Sequence, residues 1–170
     1  MLIYNPSLDC YHAIFRLLRL LEAGPREGYS LELVRLLDFY LLFPGELALM
    51  KFPHELLSFK ASSKKLRNRF SALTNPSMVF HNLKPFQAAA VRNLAGHGLL
   101  SLEALKNGEV KRSGAECPSD LLGKIKERNS LEKELIYFLT QELTALPFHG
   151  PLGLKSRTGL LEYRYDVSPS

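Results

Sequence analysis

The chain has 170 residues, of which 46% are hydrophobic and 23% charged, and its formal net charge is +5. That length suits one large domain or two small ones tightly joined, and that composition excludes a disordered chain. The most apolar stretch, LLDFYLLFPGELALM, is broken by Asp38, Pro44, Gly45 and Glu46. It falls short of the ~18 uninterrupted apolar residues a spanning helix requires, so no membrane role is expected. The N-terminus MLIYNPSLDC lacks a basic segment followed by an apolar one, which argues against a secretory leader. Cys10 and Cys117 form no CxxC pair and have no histidine cluster beside them. They read as reduced thiols in a cytoplasmic protein.

In chain order, Tyr4-Asn5-Pro6-Ser7 reads as an extended entry and turn, because Pro6 biases Asn5 away from helix. Ser7 or Asp9 then caps a helix to about Ala23, with Ile14, Phe15, Leu18 and Leu21 on its apolar face and Asp9, His12, Arg16 and Arg19 on a polar one. Gly24-Pro25 ends it. Ser30 caps the next helix, 31–43, which is apolar nearly all round past Arg35, with Asp38 the one interruption. Such a helix is central in a core or buried against a partner. On the second reading Leu37, Phe39, Tyr40 and Phe43 are the partner-helix residues. Residues 46–59 suggest short helical turns split by Pro53, and 61–70 a short helix or loop.

Asn75-Pro76 signals a turn, and Met78-Val79-Phe80 a short strand. A helix is expected from Pro85 to Gly96, since proline fits the first helical position. Its buried face comprises Phe86, Ala90, Val91 and Leu94. Residues 102–106 make a short helix, and Gly108 to Arg112 a strand. The span 118–146 reads as one long helix, apolar near its start (Leu121, Leu122, Ile125) and its end (Leu131, Leu135, Phe138, Leu139, Leu143). The tail GLKSRTGLLEYRYD gives a glycine-rich basic loop and a final alternating strand, 161–165. The expected fold is mainly α with small β elements (α+β), winged-helix-like. It forms a single compact domain over 1–170, in which 60–112 is the basic winged-helix-like portion and 118–146 the long helix.

The charge is localised. Residues 60–112 carry ten Lys/Arg against two Asp/Glu, whereas 1–59 carry five against seven and 113–170 seven against eight. Lys64, Lys65, Arg67, Arg69, Arg92, Lys111 and Arg112 are therefore candidates to meet DNA phosphates or an acidic partner. Lys155 and Arg157 in GLKSRTG join them, because glycines, hydroxyls and cations together can cradle a phosphate. A solvated basic face and a structured turn are the plainer readings. No GxSxG, GxGxxG, GxxxxGK[ST] or HExxH occurs, and the histidines at 12, 54, 81, 97 and 149 are scattered. No catalytic residue, cofactor or metal site is expected.

Four stretches occur in a telling order: YNPSLDCYHAIFRLLRLL, LDFYLLFPGEL, PFQAAAVRNLAGHGLL with GEVKR, and GLKSRTGLLEYRYD. Together they resemble the middle component of bacterial ABC-three-component systems, a group that overlaps the small accessory subunit of Lamassu-type anti-phage defence. The resemblance covers nearly the whole chain and carries no catalytic motif. It implies a non-enzymatic accessory or scaffold subunit of an anti-phage or anti-plasmid defence complex. Its partners would be an SMC-like ABC ATPase dimer and an effector nuclease subunit, and double-stranded DNA is a further candidate partner. The alternative is a stand-alone winged-helix transcription regulator. Helix FQAAAVRNLAG offers base edges only Gln87, Arg92 and Asn93, which is poor for direct readout. An enzyme built around Asp9, His12 or Lys155 is a third reading.

Overall fold

The computed structural model describes residues 9–69 and 72–161. Asp9 caps α1 (Cys10–Ala23), its carboxylate accepting from the Tyr11 N–H at 2.8 Å. Ser30 caps α2 (Leu31–Leu42), accepting from the Leu33 N–H. A 3-10 turn (Pro44–Leu49) and a second (His54–Leu56) lead into α3 (Leu57–Arg69). Then come α4 (Pro76–Gly96), α5 (Leu102–Lys106), α6 (Ser119–Leu131), α7 (Lys133–Tyr137) and α8 (Leu154–Thr158).

The β content is small. Strand β1 (Tyr29–Ser30) pairs antiparallel with β2 (Glu109–Val110), Tyr29 opposite Val110. Beyond β2, Arg112 bridges Leu100, and the Ser101 and Ser113 N–H groups donate to the Lys111 and Leu99 carbonyls. The strand expected at 108–112 thus lies between Tyr29–Ser30 and residues 99–100. The strand expected at 161–165 falls outside the described residues apart from Leu161, which is in a turn. The tight passage into β1 needs Gly28, whose φ is +80° and whose added Cβ would lie 2.2 Å from the Val110 carbonyl oxygen.

Helix α2 runs through the middle of the core. Leu36, Leu37 and Phe39 are fully buried and Tyr40 is 2% exposed, all among the chain's own side chains. Leu37, Phe39 and Tyr40 are core residues, one of the two readings the sequence left open for this helix, and they turn no face outward. Phe39 meets Phe80 edge to face at 5.7 Å. The Arg35 guanidinium sits over the Phe80 ring at 4.7 Å.

A polar network crosses this core. Asp38, fully buried, accepts from Arg16 Nε at 2.6 Å and Nη2 at 3.2 Å. It also accepts from Gln87 Nε2 at 2.8 Å. Gln87 in turn accepts from Arg35 Nε at 3.0 Å and donates to the Arg35 carbonyl. Three helices, α1, α2 and α4, are joined through one carboxylate. Burial lowers the Arg35 pKa from its usual value, with the Glu32 charge opposing.

Four sequence expectations are corrected. Arg16 and Arg19 are 7% and 4% exposed, so these two members of the polar face of α1 turn inward, paired with carboxylates from other helices, while His12 stays exposed. Met78-Val79-Phe80 is helical, because Asn75 caps α4 by accepting from the Met78 N–H and the helix runs on through Pro85. A proline inside a helix costs about 3 kcal/mol. Burying Phe80 and Leu83, at about 1.5–3 kcal/mol each, offsets it. The long helix 118–146 is divided at Glu132, whose backbone leaves helical geometry at φ −115° and ψ 35°. After α7 the chain widens into a π turn (Phe138–Leu143), and Leu131 stands exposed outside the apolar patch assigned to it. The glycine-rich loop at 153–159 contains one helical turn, α8, closed by Gly159 at φ 66°.

Removing the Asp38 carboxylate leaves a buried arginine without its anion. Asp38→Ala is expected to lower stability by about 3–5 kcal/mol in urea denaturation. The double variant Arg16→Met with Asp38→Leu is expected to recover most of that loss, since a matched apolar pair carries no unpaired charge. A single variant within about 1 kcal/mol of the parent would remove the network from the account of stability.

Candidate functional site

The α1 arginines form one wall of a cavity of about 670 Å³. Arg16 and Arg19 enter from α1, Arg67 from α3 and Arg128 from α6. Phe15, Leu41, Leu42, Phe43 and Pro44 give the cavity an apolar lining as well, and Glu46 also borders it. Phe43, read from sequence as a partner-helix residue, is half-buried here.

Each arginine is held by its own local chemistry. Arg16 is fixed by Asp38. Arg19 donates from Nε to Asn129 Oδ1 at 2.9 Å, receives the Asn129 amide on its carbonyl at 3.1 Å, and ion-pairs through Nη2 with Glu132. Burial lowers the Arg19 pKa from its ordinary value, and the Glu132 hydrogen bond and charge oppose the shift. Arg128 also reaches Glu132, at 3.1 Å. The backbone break at Glu132 therefore coincides with a carboxylate shared by two arginines from two helices.

Arg67 is placed by close backbone approach. A Cβ on Gly45 would lie 2.7 Å from the Arg67 Cα and 3.0 Å from its nitrogen. The same helix is anchored by Phe59, whose ring stacks on Phe138 at 3.7 Å and 4°. Arg67 has no ion-pair partner among the described residues. Glu46 is 4% exposed. Its Oε1 accepts from the Leu73 N–H at 3.0 Å, while Oε2 is buried without a partner. A buried carboxylate oxygen without a donor is costly and calls for one.

The cations expected to form one surface are distributed. Lys64 and Lys65 are exposed on α3, Arg69 closes that helix, and Arg67 turns into the cavity. Arg92 is exposed on α4 and Lys111 just beyond β2. Arg112 is half-buried, donating to the Ala115 carbonyl and lying 3.8 Å from Glu22. Lys155 is half-buried on α8. Arg157 is spent on structure: Nε donates to the Leu152 carbonyl at 2.6 Å and Nη1 to the Lys51 carbonyl at 2.9 Å. It clamps the last helical turn onto the segment before α3. Sequence reasoning missed Arg128, Glu132 and Glu46 as site residues. Their only advance signal was the pair of α1 arginines, which need anions if the helix is buried.

Against known proteins, residues 2–166 match the family model described as ABC-three component (ABC-3C) system Middle Component 5. The chain belongs to this family. No curated protein and no solved structure matches it. As an ABC-3C middle component it works among the parts of a multi-component system. None of its described helices is long and apolar enough to cross a membrane.

The approach of α3 to the 3-10 turn is testable. Gly45→Ala places a methyl against backbone, where no rotamer can relieve the clash. It is expected to cost about 1–3 kcal/mol of stability in thermal or urea unfolding. An unchanged midpoint would show that α3 does not pack against Gly45 as described.

Proposed function

We propose that the protein is the non-enzymatic accessory subunit of a bacterial anti-phage or anti-plasmid defence complex of the Lamassu type. In this reading it acts in the cytoplasm and bridges an SMC-like ABC ATPase dimer to an effector nuclease subunit. The observation that carries the reading is the family match over residues 2–166, which takes in the whole described body. The order α4, α5, β2, with β2 paired on its edge, supports a winged-helix-like half within it.

The decisive experiment is affinity purification of this chain expressed from its native gene neighbourhood, followed by mass spectrometry. A stable assembly with an ABC ATPase and a nuclease-type protein is expected. A lone homodimer that binds one duplex sequence tightly would overturn the proposal in favour of a transcription regulator.

Contact with double-stranded DNA is the finer part of the proposal, and it rests on the exposed cations of α3. Lys64→Glu with Lys65→Glu is expected to weaken binding of the purified complex to duplex DNA. It should also flatten the salt dependence by roughly two units of log–log slope, since each phosphate contact contributes about 0.9. An unchanged slope would take α3 off the DNA.

A further inference from the structure

We infer that the arginine-walled cavity between α1, α3 and α6 is a binding site for a small phosphorylated ligand of the nucleoside monophosphate class. The site is distinct from any DNA or protein contact proposed above and does not depend on them. Three observations carry it.

The first is size. A cavity of about 670 Å³ lies within the range of roughly 300–1,000 Å³ typical of small-molecule sites. Its walls come from distant parts of the chain, so it is a product of the fold and not a dimple in one loop.

The second is charge. Four arginines line it against two carboxylates, Glu46 and Glu132, with Asp38 behind Arg16. Asp38 occupies Nε and Nη2 of Arg16, and Asn129 and Glu132 occupy Nε and Nη2 of Arg19. The Nη1 groups of both have no partner among the described residues, and neither do the donors of Arg67. A guanidinium carries five N–H donors in a fixed fork that suits phosphate oxygens. Arg16 and Arg19 are already desolvated and immobilised, so little ordering cost remains when an anion arrives.

The third is the apolar lining. Phe15 and Phe43 bring apolar ring surface to the same cavity, with Leu41, Leu42 and Pro44. A nucleotide sets its phosphate against the arginines and its planar heterocycle against the apolar side chains, which inorganic phosphate cannot do.

The test is isothermal titration of the full chain with adenosine and guanosine 5′-monophosphates, and with inorganic phosphate and the parent nucleosides as separate arms. Saturable binding of a nucleotide is expected, with both the nucleoside and inorganic phosphate binding at least about tenfold more weakly. Arg128→Gln removes a half-exposed guanidinium whose partner Glu132 keeps its pairing with Arg19. It should weaken nucleotide binding about tenfold or more, as expected for a lost charge-assisted hydrogen bond. Phe15→Ala removes ring surface from the apolar lining. It should weaken nucleotide binding while leaving the weaker phosphate binding unchanged. No nucleotide binding at millimolar concentration overturns the proposal. So does phosphate binding as tight as nucleotide binding, which marks an adventitious anion only. Indifference to both substitutions, with each variant retaining the parental melting temperature, overturns it as well.

Discussion

The architecture depends on one buried carboxylate. Asp38 lies in a helix whose other central residues are Leu36, Leu37, Phe39 and Tyr40, all buried. A lone anion there would be prohibitively costly, so α2 can occupy the centre only if cations and donors come to it. Arg16 arrives from α1 and Gln87 from α4, and Arg35 closes the circuit through Gln87. Hydrophobic burial would be satisfied by several rotations of these helices about one another. The bidentate Arg16–Asp38 contact and the Gln87 bridge are directional, and they favour one.

The cavity follows from the same arrangement. Arg19 is one turn along from Arg16 and faces the same side of α1, beyond the reach of Asp38. Its neutralisation falls to Glu132 and Asn129 at the far end of α6. Two arginine forks with anions on separate helices cannot be closed over by aliphatic side chains without stranding charge, so space remains between them. Arg67 and Arg128 then border that space from α3 and α6. The two buried arginines of α1 thus border the cavity, each already held by a carboxylate from another helix.

The sequence makes local structure plain and long-range pairing obscure. The caps at Asp9 and Ser30, the end of α1 and the short helix 102–106 are all legible, because each rests on a few adjacent residues and their own backbone hydrogen bonds. The mostly helical class is legible for the same reason. The strand reading of Met78-Val79-Phe80 fails because β-branched and aromatic character describes burial as well as strand, and burial of Phe80 prevails once Asn75 starts a helix upstream. Pro85 misleads because the first-position preference is a tendency, and tertiary packing pays for an interior proline. Arg16 and Arg19 look like solvent-facing residues since their anions are 22 and 113 positions away. One clue was present: a single aspartate in an apolar helix requires a cation somewhere, although spacing alone cannot say which.

The basic middle segment shows the same limit from the other side. Its cations are contiguous in sequence but are carried by α3, α4 and the strand after α5, and the neighbours of those elements differ. α3 packs on the 3-10 turn at Gly45 and on Phe138, α4 on α1, and β2 on β1. Arg67 turns inward while Lys64 and Lys65, on the same helix, remain in solvent. A phosphate backbone responds to charge arranged in space over tens of ångströms, and screening removes contributions beyond about 10 Å at moderate salt. The net charge of the segment therefore overstates any single surface. The exposed cations lie apart, Lys64 and Lys65 on α3, Arg92 on α4 and Lys111 just beyond β2, while Arg67 of α3 joins arginines from α1 and α6 around the cavity.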